Sequence, residues 1–269
     1  MRTKFLGLIL VTAAVAAASA CSEGTTASVG LSFSTRPAPG TPPLASVVGA
    51  GDRAAASVVA AGDSTIVTLG NDTVIIRSVE LVLREIELKR IDVPQCPDSL
   101  PGDDACEEFE TGPELVSLPL GNATEAAVTI AVPPGTYDEF EFKVHKPSAS
   151  DDAAFLARHP DFDGISIRVM GTYSAAGSRS DFVFTTDLDK EQERLLSPPL
   201  VVSEGTAVNL TMRVDISSWF MNVGGTALVD PATANKGGQN EGVVKNNIEQ
   251  SIEAFHDDDH DGLDDDNEE

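Results

Sequence analysis

Ser64-Thr-Ile-Val-Thr-Leu-Gly-Asn-Asp-Thr-Val-Ile-Ile-Arg-Ser-Val-Glu-Leu-Val-Leu-Arg-Glu-Ile-Glu-Leu-Lys-Arg90 decides the fold class. Thr65–Leu69 and Thr73–Ile76 are β-branched runs separated by the turn residues Gly70, Asn71 and Asp72, which is the pattern of a hairpin. Val79, Leu81 and Leu83 then alternate with Glu80, Val82 and Arg84. Glu, Leu, Lys and Arg would also suit a helix over Ser78–Arg90. Period two fits better, because Val79, Leu81 and Leu83 share one face of a strand but are spread around a helix. The apolar phase slips by one between Leu83 and Ile86, which predicts a β-bulge.

Outward from this stretch, short apolar runs recur between Gly and Pro turns. Strands are expected at Glu114–Leu118, Ala126–Val132, Tyr137–Lys146, Ile165–Thr172, Asp181–Thr186 and Ala207–Ile216. Ser28–Arg36, with Val29, Leu31 and Phe33 in alternation, reads as a first strand, followed by a long loop over 37–63. Asp151–His159 reads as a short Asp-capped helix. In Asn246–Phe255, Ile248, Ile252 and Phe255 fall at i, i+4 and i+7, which predicts a helix. The expectation is an all-β antiparallel β-sandwich over 63–245, with a C-terminal helix and an acidic tail over 246–269.

The N-terminus carries an address. Arg2 and Lys4 precede an apolar run from Phe5, and Ala18-Ser19-Ala20-Cys21 follows. This is the plan of a secretory signal peptide over 1–20, and the run is short of the about 20 residues of a membrane span. Ala18–Cys21 resembles a bacterial lipobox with Ala18 where Leu is usual, which makes Cys21 the lipidation site and attaches the chain to a membrane through lipid. Residues 21–62, rich in Ala, Gly, Pro, Ser and Thr, read as a tether. Ser22 after Cys21 favours the outer membrane, since Asp there would be an inner-membrane retention signal in enterobacteria. The expected location is the cell envelope, on the periplasmic or surface face.

The 269 residues carry a net charge of −25. Phosphate recognition needs clustered Lys and Arg, so nucleic acid is not expected as a partner. Aromatic residues make up 5% of the chain, few for a sugar-cleaving groove. Cys96 and Cys106 bound a loop rich in Pro, Gly and Asp and are expected to form a disulfide beyond the signal peptide; zinc is the alternative, without a second pair at ligand spacing.

The strongest chemical motif is Asp257-Asp-Asp-His-Asp-Gly-Leu-Asp-Asp-Asp-Asn-Glu268. Asp257, Asp259, Asp261, Gly262 and Glu268 match the loop pattern of an EF-hand, in which calcium takes hard oxygens around a turn made by Gly. The Leu263 carbonyl would fill the backbone position and Asp265 the water-mediated one, with Asn246–Phe255 as the entering helix. The departures are the absence of sequence for an exiting helix and Asp264 at a normally apolar position. The pattern is closer to the looser DxDxDG loops of bacterial surface proteins. A solvated acidic tail is the competing reading, since nine of the last 13 residues are acidic, and His256 and His260 offer a transition-metal alternative.

The usual catalytic motifs are absent from the sequence. His145 reads as a surface or turn residue, and His159, beside Asp161 and Asp163, as a helix end before a Pro turn. Paired carboxylates remain open as a hydrolase site. Asn71-Asp-Thr, Asn122-Ala-Thr and Asn209-Leu-Thr have the form of glycosylation sequons, which carry no weight in a bacterial lipoprotein.

Ser78–Arg90, Phe109–Leu120, Val132-Pro-Pro-Gly-Thr-Tyr137 and Asn209–Phe220 with Asp215 and Trp219 together resemble an uncharacterised family of bacterial and archaeal lipoproteins with a Gly-Thr-Tyr turn. The resemblance covers about 64–220. It implies a β-rich extracytoplasmic domain and brings no activity. The functional expectation is a non-enzymatic binding or structural role, with calcium as the ion and a surface protein or glycan as partner. The alternatives are a carboxylate-based hydrolase and an envelope assembly or scaffold subunit.

Overall fold

The computed structural model describes residues 27–35, 56–91, 112–121 and 124–265. Two sheets pack face to face around one core, as the alternation requires. The smaller sheet has four strands: β1 (Ala27–Ser34), β6 (Thr124–Val132), β11 (Ala207–Val214) and β12 (Ile252–His256), in the order β12-β11-β1-β6. β1 runs antiparallel to β6 and parallel to β11.

The larger sheet is organised on β4 (Asp72–Arg90), a strand of 19 residues. It pairs with β3 (Thr65–Leu69), β5 (Glu114–Ser117), β7 (Gly135–Val144) and β8 (Ile167–Ala175). β2 (Ala56–Ala60) extends it beyond β3, β9 (Ser178–Thr186) beyond β8, and β10 (Lys190–Val202) beyond β7. The bulge expected between Leu83 and Ile86 is present. The β4–β7 register shifts between Arg84 and Glu87, and Glu85 takes φ +52°. Val79, Leu81 and Leu83 before the bulge and Ile86 and Leu88 after it are therefore all buried in the core. Val82 faces the other way, and helix α1 (Ala153–Arg158) and the 3₁₀ turn Pro160–Phe162 cover it with Phe155 and Phe162.

Several expectations need correcting. β1 is the first strand expected over Ser28–Arg36, but β2 falls within the stretch read as tether and β12 starts within the stretch read as helix, so the sandwich is wider than 63–245. β10 was not expected. Asp152 precedes α1 but makes no side-chain cap there. The C-terminal helix, α2, spans Glu241–Glu249. Ile252 and Phe255 belong to β12, which pairs antiparallel with β11. The helical spacing of Ile248, Ile252 and Phe255 is real, but a register with β11 buries Ile252 and Phe255 as a strand and satisfies the backbone as well. At the junction Ser251 Oγ donates to the Ile248 carbonyl at 2.7 Å and accepts from Nε1 of the fully buried Trp219 at 2.8 Å.

Cys21, Cys96, Cys106 and Glu268 lie outside the described residues. Among the described residues no helix is long and apolar enough to cross a membrane.

Candidate metal centre at the C-terminal loop

Residues 257–265 leave β12 and fold back over the outer face of the four-stranded sheet. The polar side chains that face outward there, Ser32, Ser34, Asn209 and Thr211, are all buried. His260 Nδ1 lies 3.2 Å from Ser32 Oγ. Gly262 takes φ +80°, and a Cβ on it would meet Thr124 Oγ1 at 2.7 Å and Ser34 Oγ at 3.3 Å. Glycine is therefore required at this position both for the turn and for the close approach to the sheet.

Asn209 fixes the start of the loop. Its side-chain amide donates to the Asp257 carbonyl at 2.8 Å, its backbone N–H to Asp258 Oδ1 at 2.8 Å, and its carbonyl accepts from Asp257 N–H at 3.1 Å. Ser32 Oγ donates to Asn209 Oδ1 at 2.9 Å. The residue paired with Asn209 on β1 is Gly30, and a Cβ there would sit 2.8 Å from Asn209 Oδ1. Sequence reasoning passed over Asn209 as part of a sequon. Its signal was an amide inside an apolar strand, where a buried polar side chain must find partners.

Asp257 has no solvent exposure. Its carboxylate oxygens accept from Asp261 N–H at 3.0 Å and Gly262 N–H at 3.1 Å. No Lys, Arg or His among the described residues forms a salt bridge with it. Asp259 Oδ1 also accepts from Asp261 N–H at 3.0 Å. Asp265 Oδ2 accepts from Asp258 N–H at 2.7 Å, which brings the end of the loop back to its beginning. Asp257, Asp259 and Asp265 each offer a carboxylate oxygen, and the three lie within 4.8 Å of one another. Asp261 is not in that set; its Oδ1 accepts from Leu263 N–H at 2.7 Å. His256, Asp258 and Asp265 form a second group within the same distance. The loop is entered from a strand and not from the helix of an EF-hand.

The remaining titratable groups fall elsewhere. His145 is buried, with 7% exposure, and was not expected to be. Its Nε2 lies 2.9 Å from Asp152 Oδ2. Burial works to raise the Asp152 carboxyl, but His145, the Ser148 N–H and Arg84 together hold it below the ordinary range. This explains why Asp152 does not cap α1. His159 ends α1 as expected and packs on Phe155 with ring centres 4.9 Å apart.

A row of acids crosses the larger sheet. Glu141 on β7 stands directly opposite Glu87 on β4 and Glu193 on β10. Glu139, Glu141 and Glu193 bring carboxylate oxygens within 4.8 Å of each other. Burial, then Glu191, Glu87 and Glu193, push the Glu141 carboxyl up to about 8.

No family model, no curated protein and no solved structure matches the chain.

Proposed function

We infer that the chain is a lipid-anchored protein of the bacterial cell envelope, attached through Cys21, that works by binding or as structure. Calcium at the 257–265 loop is its structural ion. Asp257 carries the ion assignment: a fully buried carboxylate has backbone N–H groups for partners and, among the described residues, no cationic side chain. Removing a charge from water is costly unless an opposite charge meets it. Asp259 and Asp265 point carboxylate oxygens at the same place, and an all-oxygen set selects a hard cation over a transition metal. Leu263 and Glu268 complete the ligand set in this reading, and Asp261 serves the turn.

The lipobox, the acidity and the family resemblance support the envelope location, with the outer membrane as the favoured site. The hydrolase alternative draws on the Glu141 row, where burial and the carboxylates of Glu191, Glu87 and Glu193 push the Glu141 carboxyl up to about 8. That row crosses a sheet face, and Glu193 borders an open depression with Glu191 and Gln250 rather than an apolar cleft, which favours binding over catalysis.

Calorimetric titration of the chain from Ser22 with calcium tests the ion assignment. One site with Kd of about 10⁻⁴ to 10⁻³ M is expected, lost in Asp257→Asn. Heats unchanged in that variant would refute it.

A further inference from the structure

β10 borders the larger sheet and β12 the smaller, and Arg194 bridges them by donating to the Ile252 carbonyl at 2.9 Å. The β10–β7 ladder breaks between Leu195 and Leu200. Pro198 and Pro199 lie in the break and have no N–H to pair. Between this segment and the inner face of β11 and β12 lies a cavity of about 370 Å³. That is within the range of small-ligand sites.

Its apolar wall comes from Leu196, Leu200, Val208, Leu210 and Ala254. Leu195 and Val201 also line it and are 77% and 63% exposed, so two of the most exposed large apolar side chains among the described residues stand together here. The polar end is acidic: Asp258 and Asp264 line it, with His256 beside Asp258 at 3.1 Å. No lysine or arginine is among the lining residues, and the chain as a whole is strongly negative. Within low-dielectric walls, carboxylates of one sign focus the field and draw cations.

We propose that this cavity is a binding site for a small amphiphilic ammonium compound, with its apolar body between Leu196, Leu200 and Leu210 and its protonated amine at Asp258 and Asp264. The volume accommodates a body of about the size of one aromatic ring with a short chain. The polar end of the cavity adjoins the proposed ion set of Asp257, Asp259 and Asp265, since Asp258 also groups with Asp265, and the EDTA and calcium arms of the test tell the two apart.

The test uses three probes that share a 2-phenylethyl body on the chain from Ser22: 2-phenylethylamine, 2-phenylethanol and 3-phenylpropanoate. Binding is read by ligand-observed NMR, in EDTA and again in calcium. The amine is expected to bind about tenfold tighter than the alcohol, and the acid not to bind. In Asp258→Asn/Asp264→Asn the amine's advantage disappears while the alcohol binds as before, which also shows that the cavity is intact. Ala254→Phe fills the space and removes both. Equal affinity for the three probes, no binding of the amine, or binding that survives Ala254→Phe would overturn the proposal.

Discussion

The side-chain amide of Asn209 holds the carbonyl of Asp257 at 2.8 Å, so the last loop of the protein is fastened to the four-stranded sheet at its first residue. The same side chain accepts from Ser32 on β1, and the two strands are paired in parallel. One buried amide thus joins three parts of the chain that are far apart in sequence. Asn209→Ala strands Ser32 Oγ and the Asp257 carbonyl without this partner. A loss of about 2–3 kcal/mol in urea unfolding is expected. A smaller loss than for an exposed Asn would show that the loop is not fastened there.

Gly262 offers a second check on the loop. Gly262→Ala places a methyl group against Thr124 Oγ1 in a backbone conformation with φ +80°. Gly205→Ala is the control, since φ is +71° there and nothing lies within 4 Å of the added Cβ. The control should cost about 1 kcal/mol from backbone strain alone. Gly262→Ala should cost at least about 1 kcal/mol more, read from urea midpoints. Equal losses would mean that the loop does not press on the sheet.

How far the sequence discloses these features depends on how local their cause is. The alternation of Val79, Leu81 and Leu83 and the slip before Ile86 are properties of one strand, and β4 has the predicted bulge at Glu85. Ile248, Ile252 and Phe255 satisfy a helix as well as a strand, and only pairing with β11, some 40 residues earlier in the chain, decides for β12. Lys190–Val202 mixes Glu, Gln and Pro on an edge, so it carries little apolar period to read. The Asp257–Asp259–Asp265 grouping was legible because a turn of fixed spacing makes it. The burial of Asp257 and the part played by Gly30 come from the sheet beneath and have no local trace, while Asn209 shows locally only as an amide inside an apolar strand.

The acid row predicts an unusual pH dependence. The Glu141 carboxyl is raised in the folded chain to about 8, above its unfolded value. Between the two values the folded state binds more protons at this group, so its contribution to stability is greatest in acid and is lost as pH rises toward about 8. Glu141→Gln removes the repulsion with Glu191, Glu87 and Glu193. It should stabilise the protein by about 1 kcal/mol at about pH 8, a figure that allows for solvent screening. It should change little at about pH 4. Thermal melts of both proteins across this window check it; a gain that is the same at both ends would contradict the assignment.

Asp187 predicts the opposite trend. Lys236 and Lys245 lie 2.8 and 2.6 Å from its carboxylate and hold it well below the usual range. Its contribution is present above the unfolded carboxylate value and is lost as pH falls through the folded one. Asp187→Asn should therefore destabilise the docking of α2 at neutral pH by about 1–2 kcal/mol and much less in strong acid. Hydrogen exchange of the α2 amides, compared at the two pH values, reads this locally; exchange unaltered by the substitution at neutral pH would contradict it.

The most direct test of the calcium assignment is a thermal melt of the chain from Ser22, in EDTA and in about 1 mM calcium, beside Asp257→Asn. A site with Kd of about 10⁻⁴ M that binds only the folded state adds roughly 1.4 kcal/mol, a rise of about 3 °C for a domain of this size. The account predicts that rise in the native sequence and its loss in the variant. The same melting temperature with and without calcium in the native sequence would contradict it and leave the 257–265 loop held by its hydrogen bonds alone.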